Sequence, residues 1–200
     1  MKMAFVLFDR MTTLDFSGFF EAITWLKMLN AMDDVSWHLC STTEEIKDDR
    51  GMTIKINHVR PDLSAYDLLF IPGGMATRQL QFDKDFVAWL QTAQDVKYKI
   101  SVCTGALLLG AAGFLKGKRA TTNPSAYELL VPYCSEVVKQ RVVRDGNIFT
   151  GGGVSASIDL GLYVIESLTN TEIAKKVQQN MDYPYYETGR LNNLDNQKAN

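Results

Sequence analysis

The sequence predicts an α/β domain built on a largely parallel sheet. Short apolar runs alternate with segments of helical period from one end of the chain to the other. The first of these runs, Met3–Phe8, is continuous rather than alternating with polar residues, as in a strand covered on both faces. One of these runs stops at a cysteine that is followed at once by small, helix-compatible residues.

Taken in order, Met3–Phe8 is the first continuous apolar run and reads as a core strand. From Ser17 to Leu29 the residues Phe19, Phe20, Ile23, Leu26 and Leu29 recur at helical spacing. Val35–Cys40 is a second strand, with Met52–Val59 as a shorter strand beside it. Asp67–Ile71 is a third buried strand, halted by Pro72-Gly73-Gly74. Asp83 caps a helix whose Phe86, Trp89, Leu90 and Ala93 share one face. Tyr98–Val102 is the next strand and Thr104–Ala112 the next helix, with Gly113 placed to end it. Val137–Val143 and Asn147–Thr150 flank Asp145-Gly146, a hairpin signal. Gly151-Gly152-Gly153 leads into an apolar helix, Val154–Leu168, and a last helix spans Thr171–Met181. These elements make one domain over residues 1–190, and the polar stretch 191–200 reads as a frayed tail.

Composition narrows the function classes. The chain has 200 residues, 46% hydrophobic and 22% charged, close to the globular average. Its 21 basic and 23 acidic side chains give a net charge of −2, with no basic stripe to capture nucleic acid. No segment approaches the roughly 20 apolar residues that cross a bilayer, and the opening MKMAFVLF lacks a signal-peptide cleavage site. Three cysteines, Cys40, Cys103 and Cys134, have no metal-type spacing and point to free thiols in a reducing compartment, by default the cytoplasm.

Ile100-Ser101-Val102-Cys103-Thr104-Gly105-Ala106 is the most informative stretch. A strand that ends on Cys103 and turns directly into a helix parallels the nucleophile elbow of α/β-hydrolases. Ligands of open α/β sheets bind at the carboxyl ends of strands, where Cys103 lies. A thiol at a helix N-terminus faces unpaired N–H groups, which lowers its pKa and favours thiolate. Read without function, Cys103 is a small buried apolar residue.

Several short motifs follow one another along the chain. They are Leu14-Asp15-Phe16-Ser17-Gly18, Ile71-Pro72-Gly73-Gly74, Ser101-Val102-Cys103-Thr104-Gly105 and Leu109-Gly110-Ala111-Ala112-Gly113. Gly117-Lys118-Arg119-Ala120-Thr121-Thr122, Arg141-Val142-Val143-Arg144-Asp145-Gly146-Asn147 and Phe149-Thr150-Gly151-Gly152-Gly153 follow. In this order the set resembles that of the ThiJ/PfpI superfamily and its isonitrile (isocyanide) hydratase branch. The resemblance extends from residue 3 to about 185. It implies a flavodoxin-like three-layer sandwich, a homodimer acting on a small-molecule substrate, no cofactor and no metal. It also implies that Cys103 is the nucleophile and that Asp15 is the carboxyl beside it.

Chemically, Asp15 can exchange a proton with substrate; the plain alternative is a helix N-cap near Ser17. Gly73 and Gly74 offer backbone N–H groups for an oxyanion-type site, or simply a tight turn. Thr104 starts the helix, and its hydroxyl is placed to bond substrate or Asp15. Glu21 is a second, weaker carboxylate candidate. The triple glycine at 151–153 reads as a turn bordering the pocket, without a phosphate-loop ending.

Two departures from the family pattern stand out. Where many relatives carry a histidine after the Ala-Thr-Thr run, this chain has Asn123-Pro124. Asparagine is not a general base, which removes a Cys-His dyad at that position. Phe19 stands in place of the usual proline after Gly18. The two histidines, His38 and His58, fall elsewhere and read as structural or surface residues. Together these features predict a hydratase adding water to an isocyanide. The rival readings are a cysteine enzyme for other small electrophiles such as glyoxals, and a redox-sensing protein using Cys103.

Overall fold

The computed structural model describes residues 1–189; the expected tail at 191–200 lies outside the described residues. Eleven strands and seven α-helices are ordered β1 (Lys2–Val6), α1 (Thr13–Met28), β2 (Ser36–Ser41), β3 (Glu45–Lys47), β4 (Thr53–Lys55), β5 (His58–Val59), β6 (Leu68–Ile71), α2 (Thr77–Leu80), α3 (Lys84–Gln91), β7 (Tyr98–Val102), α4 (Gly105–Ala111), β8 (Arg119–Ala120), α5 (Tyr127–Leu130), β9 (Glu136–Val137), β10 (Val142–Asp145), β11 (Ile148–Gly151), α6 (Ala156–Leu168) and α7 (Thr171–Asn180) among the described residues.

The central sheet runs β10-β11-β7-β6-β1-β2-β5 and is parallel except for the β10–β11 hairpin. The chain moves outward from β1 to β2, then crosses to β6 on the other side of β1 and proceeds to β7. Right-handed crossovers running in opposite directions place their helices on opposite faces. Hence α1 packs with α6 on one face, while α3 and α4 meet on the other. This is the three-layer α/β sandwich, with the strands of the core almost wholly buried. Among the described residues no helix is long and apolar enough to cross a membrane.

The face under α1 is aromatic. Phe5 and Phe70 are register partners on β1 and β6. Phe19 stacks on Phe70 with ring centroids 4.2 Å apart, and Phe5 meets Phe16 and Phe20 edge-on. Such pairs add to area burial and fix how α1 lies on the sheet. Helix α6 then approaches α1 so closely that a Cβ on Gly161 would sit 2.6 Å from the Cβ of Ala22. Ser157 of α6 donates its hydroxyl to the carbonyl of Leu14 at 3.0 Å. These contacts hold the first turn of α1 in place, and that turn carries Asp15.

Three expected elements differ. Helix α1 begins at Thr13, not Ser17, so Asp15 lies inside its first turn. The cause is tertiary: Thr13 and Thr12 donate their hydroxyls to Asp48 and Asp49 of the β3–β4 turn. The expected strand Met52–Val59 is two strands with different partners, β4 pairing with β3 and β5 with β2. Val137–Val143 likewise divides, with β9 pairing β8 and β10 pairing β11.

Candidate active site

Cys103 ends β7 with φ +54°, a left-handed conformation that is uncommon outside glycine. This is the strained strand-to-helix turn expected of an elbow. Its N–H donates to the Gly151 carbonyl at 3.0 Å, and its carbonyl accepts from the Thr122 hydroxyl at 2.7 Å. Both partners come from later in the chain, so the turn is held from outside. The thiol is only 7% exposed.

Asp15 is fully buried. Its Oδ2 accepts from the Gly73 N–H at 3.0 Å. Its Oδ1 has no hydrogen-bond partner among the described residues. The backbone of the same turn ties back to the glycines, with the Thr12 N–H on the Gly73 carbonyl at 2.9 Å. A Cβ placed on Gly73 would lie 2.8 Å from Asp15 Oδ2, 2.7 Å from Cys103 Cβ and 2.6 Å from the Thr104 nitrogen. Gly73 is therefore the point at which the carboxyl, the thiol-bearing carbon and the start of α4 converge. The Gly73→Ala variant is expected to push these groups apart. Overpacking of this kind costs about 1–3 kcal/mol, so a lower melting temperature should accompany an altered rate of Cys103 alkylation by iodoacetamide. An unchanged rate and melting temperature would refute the convergence.

The expected oxyanion role of Gly73 and Gly74 needs correction. The Gly73 N–H is directed at Asp15, and the Gly74 N–H donates to Thr104 Oγ1 at 3.1 Å. Gly74 has φ +143° and is bridged to Met11, which aims its N–H inward at Thr104. Nor does the Thr104 hydroxyl bond Asp15. It lies 3.1 Å from the Gly74 carbonyl and accepts from Thr77 Oγ1 at 2.8 Å. The two glycines and Thr104 brace the turn. The backbone N–H that faces the sulfur is that of Thr104.

The ionisation of the pair also departs from expectation. Burial pushes the Cys103 thiol up to about 12, the Asp15 charge beside it adds to the rise, and the Thr104 N–H and Asn123 amide pull it down without prevailing. Helix α4 spans only seven residues, and its start does not offset the loss of solvent. Burial likewise lifts Asp15 from the ordinary 3.8 to about 7, against the lowering pull of the Cys103 thiol and the Gly73 N–H; Asp49 adds a smaller push upward. Two acids this close titrate as one unit. Near neutrality the carboxyl exchanges its proton readily, while the resting sulfur keeps its own.

The remaining candidates are placed elsewhere. Glu21 is exposed and accepts from Trp25 Nε1 at 3.3 Å. His38 and His58 stack 3.7 Å apart at the β2–β5 edge, with His38 against the Tyr66 hydroxyl. The Tyr183 and Tyr186 hydroxyls anchor the C-terminal segment to Asp159 and Glu166 of α6. Gly151 and Gly153 do border the site, through the Cys103 N–H and the Asn123 side chain. Sequence reasoning missed Thr77 and Thr122, whose hydroxyls complete the brace. The Ala-Thr-Thr motif was the available signal for Thr122, whereas Thr77 has none. Among the described residues no cluster of His, Cys, Asp and Glu could hold a metal ion.

Comparison with known proteins follows the same lines. The sequence model of the DJ-1/PfpI family matches residues 1–167. The chain is 34% identical to the isonitrile hydratase of Pseudomonas putida over 194 residues, which covers 94% of this chain and 82% of that protein. It is 32% identical to Protein DJ-1 homolog A of Arabidopsis thaliana over 117 residues, 57% of this chain and 30% of the plant protein. Among solved structures, a ThiJ/PfpI family protein from Pseudomonas syringae superposes with a TM-score of 0.82 at 28% identity, covering 93% of this chain and 76% of that one. Oxidized DJ-1 of Toxoplasma gondii shares the fold, with a TM-score of 0.75 at 23% identity and coverage of 92% and 99%.

Proposed function

The chain belongs to the DJ-1/PfpI family, and from that premise we propose that it is a hydratase converting an isocyanide to an N-substituted formamide. The observation that carries this reading is the buried pair itself. Asp15 holds an exchangeable proton near neutrality and has one free oxygen, directly beside the Cys103 thiol. The likeness to the Pseudomonas putida isonitrile hydratase over nearly the whole chain supports the same conclusion.

The terminal carbon of an isocyanide accepts a nucleophile and, once attacked, needs a proton at that same carbon. Cys103 sulfur forms the S–C bond as its proton leaves for Asp15 Oδ1, and Asp15 delivers a proton to the carbon. The product is a thioimidate, R–N=CH–S–Cys103. Water then adds at the carbon while the nitrogen gains a proton. Collapse of the adduct breaks the C–S bond, gives R–NH–CHO and returns the proton to sulfur. Overall one water is consumed, and neither redox change nor histidine is required.

A homodimer belongs to the proposal, and the exposed Leu14 and Met52, on the α1 turn and the hairpin turn docked to it, are apolar side chains that such a contact would cover. A cytoplasmic location fits the three free thiols. The test is formamide formation from cyclohexyl isocyanide by the reduced protein, with methylglyoxal as the competing substrate. Formamide without glyoxal consumption is expected. Glyoxal turnover with no formamide would replace this reading with the rival enzyme.

A further inference from the structure

Asn123 stands three residues beyond β8, where the chain passes the elbow. Its Oδ1 accepts from both the Ser125 N–H at 3.0 Å and the Ser125 hydroxyl at 2.8 Å. An amide whose oxygen takes two donors is not free to flip, because its NH₂ would then face them. The Ser125 oxygen is in turn met by Arg78 Nη2 at 3.4 Å. The Nδ2 group is thus turned away from Ser125, toward Gly153, where a Cβ would lie only 2.9 Å from it. Gly153 lies two residues beyond the strand whose Gly151 carbonyl holds the Cys103 N–H. Thr122, one residue earlier, bonds the Cys103 carbonyl at 2.7 Å. The amide is therefore pinned beside the elbow from two sides. The bonds to Ser125 fix the amide plane, and Nδ2 is thereby held on the side of Gly153 and the elbow.

We propose that Asn123 is a catalytic residue whose Nδ2–H donates to the Cys103 sulfur when that sulfur carries negative charge, and that Ser125 is the positioning residue that fixes the amide. The amide's pull on the thiol pKa runs in the same direction. When the thiol proton passes to Asp15 Oδ1, the electron pair left on sulfur is held by two N–H groups, from Thr104 and from Asn123. When the C–S bond of the thioimidate adduct breaks, the departing sulfur meets the same two donors. That second use rests on the hydratase reading, while the first concerns the thiol alone and applies to any electrophile.

The test uses the thiol alone. The rate of carbamidomethylation of Cys103 by iodoacetamide is followed against pH by peptide mass spectrometry, which separates it from Cys40 and Cys134. A hydrogen bond to a charged group supports about a tenfold change in equilibrium. Asn123→Ala is therefore expected to slow alkylation at pH 7.5 by about tenfold and to move the profile to higher pH. Asn123→Asp keeps the shape but puts an acidic oxygen near sulfur, and should move the profile further. Ser125→Ala, which removes the hydroxyl donor and leaves the amide held by the backbone N–H alone, should move it in the same direction by less. Unchanged profiles in Asn123→Ala and Ser125→Ala would overturn the proposal, whatever happens to their melting temperatures. Because no isocyanide is present, failure here is distinct from failure of the hydratase reading.

Discussion

Cys103→Ser should lose isocyanide turnover by a factor of about a thousand or more while keeping its fold, because removal of a nucleophile eliminates the covalent route. The fold tolerates the exchange for identifiable reasons. The left-handed backbone at this residue is held by the Gly151 carbonyl and the Thr122 hydroxyl, not by the side chain. Serine is nearly isosteric with cysteine. Its hydroxyl, however, is far less acidic than a thiol, and this site already disfavours the charged sulfur. Formamide yield by NMR, set beside a melting curve, checks both halves. Turnover within tenfold of wild type would show that Asp15 and water do the chemistry without covalent attachment.

Asp15→Asn should abolish turnover and yet stabilise the protein above neutral pH. The carboxyl is raised from the ordinary 3.8 to about 7, so the folded state binds its proton more tightly than the unfolded chain. Stability contributed by this group is complete below about pH 4 and falls as pH climbs to about 7. Above that range the full cost of burying a charge is present, at most about 4 kcal/mol for a shift of this size. Asparagine carries no such cost, and its oxygen can still accept the Gly73 N–H. Melting temperatures of wild type and variant should coincide near pH 4 and separate by pH 8, with the variant higher by about 5–10 °C. A variant that is less stable at pH 8 would mean that the native carboxylate is well satisfied and its pKa is not raised.

The strand and helix order was legible because buried parallel strands write themselves as continuous apolar runs, as Met3–Val6 and Leu68–Ile71 do. The elbow was legible for a related reason, since few arrangements place Cys-Thr-Gly after such a run. What escaped depends on contacts between distant segments. The hairpin β3–β4 has three-residue strands with polar ends, too short to show a period. Helix α1 begins early because Asp48 and Asp49 satisfy Thr13 and Thr12, and neither pairing leaves a trace in local sequence. The use of Gly73 and Gly74 was misjudged because the residue type reveals room but not the direction of an N–H. The thiol pKa was misjudged because a helix start is visible in sequence and the depth of its burial is not.

The way the Cys103 turn is held has a consequence for synthesis. Apart from the adjacent Thr104 N–H, its neighbours are drawn from Asp15, Gly73, Thr122 and Gly151, so the site is assembled mainly from non-local contacts. A nascent chain that has not yet released Gly151 from the ribosome lacks the carbonyl that holds the elbow, although the thiol was made almost fifty residues earlier. The grouping of carboxyl, thiol and bracing hydroxyls is thus completed only with the final sheet.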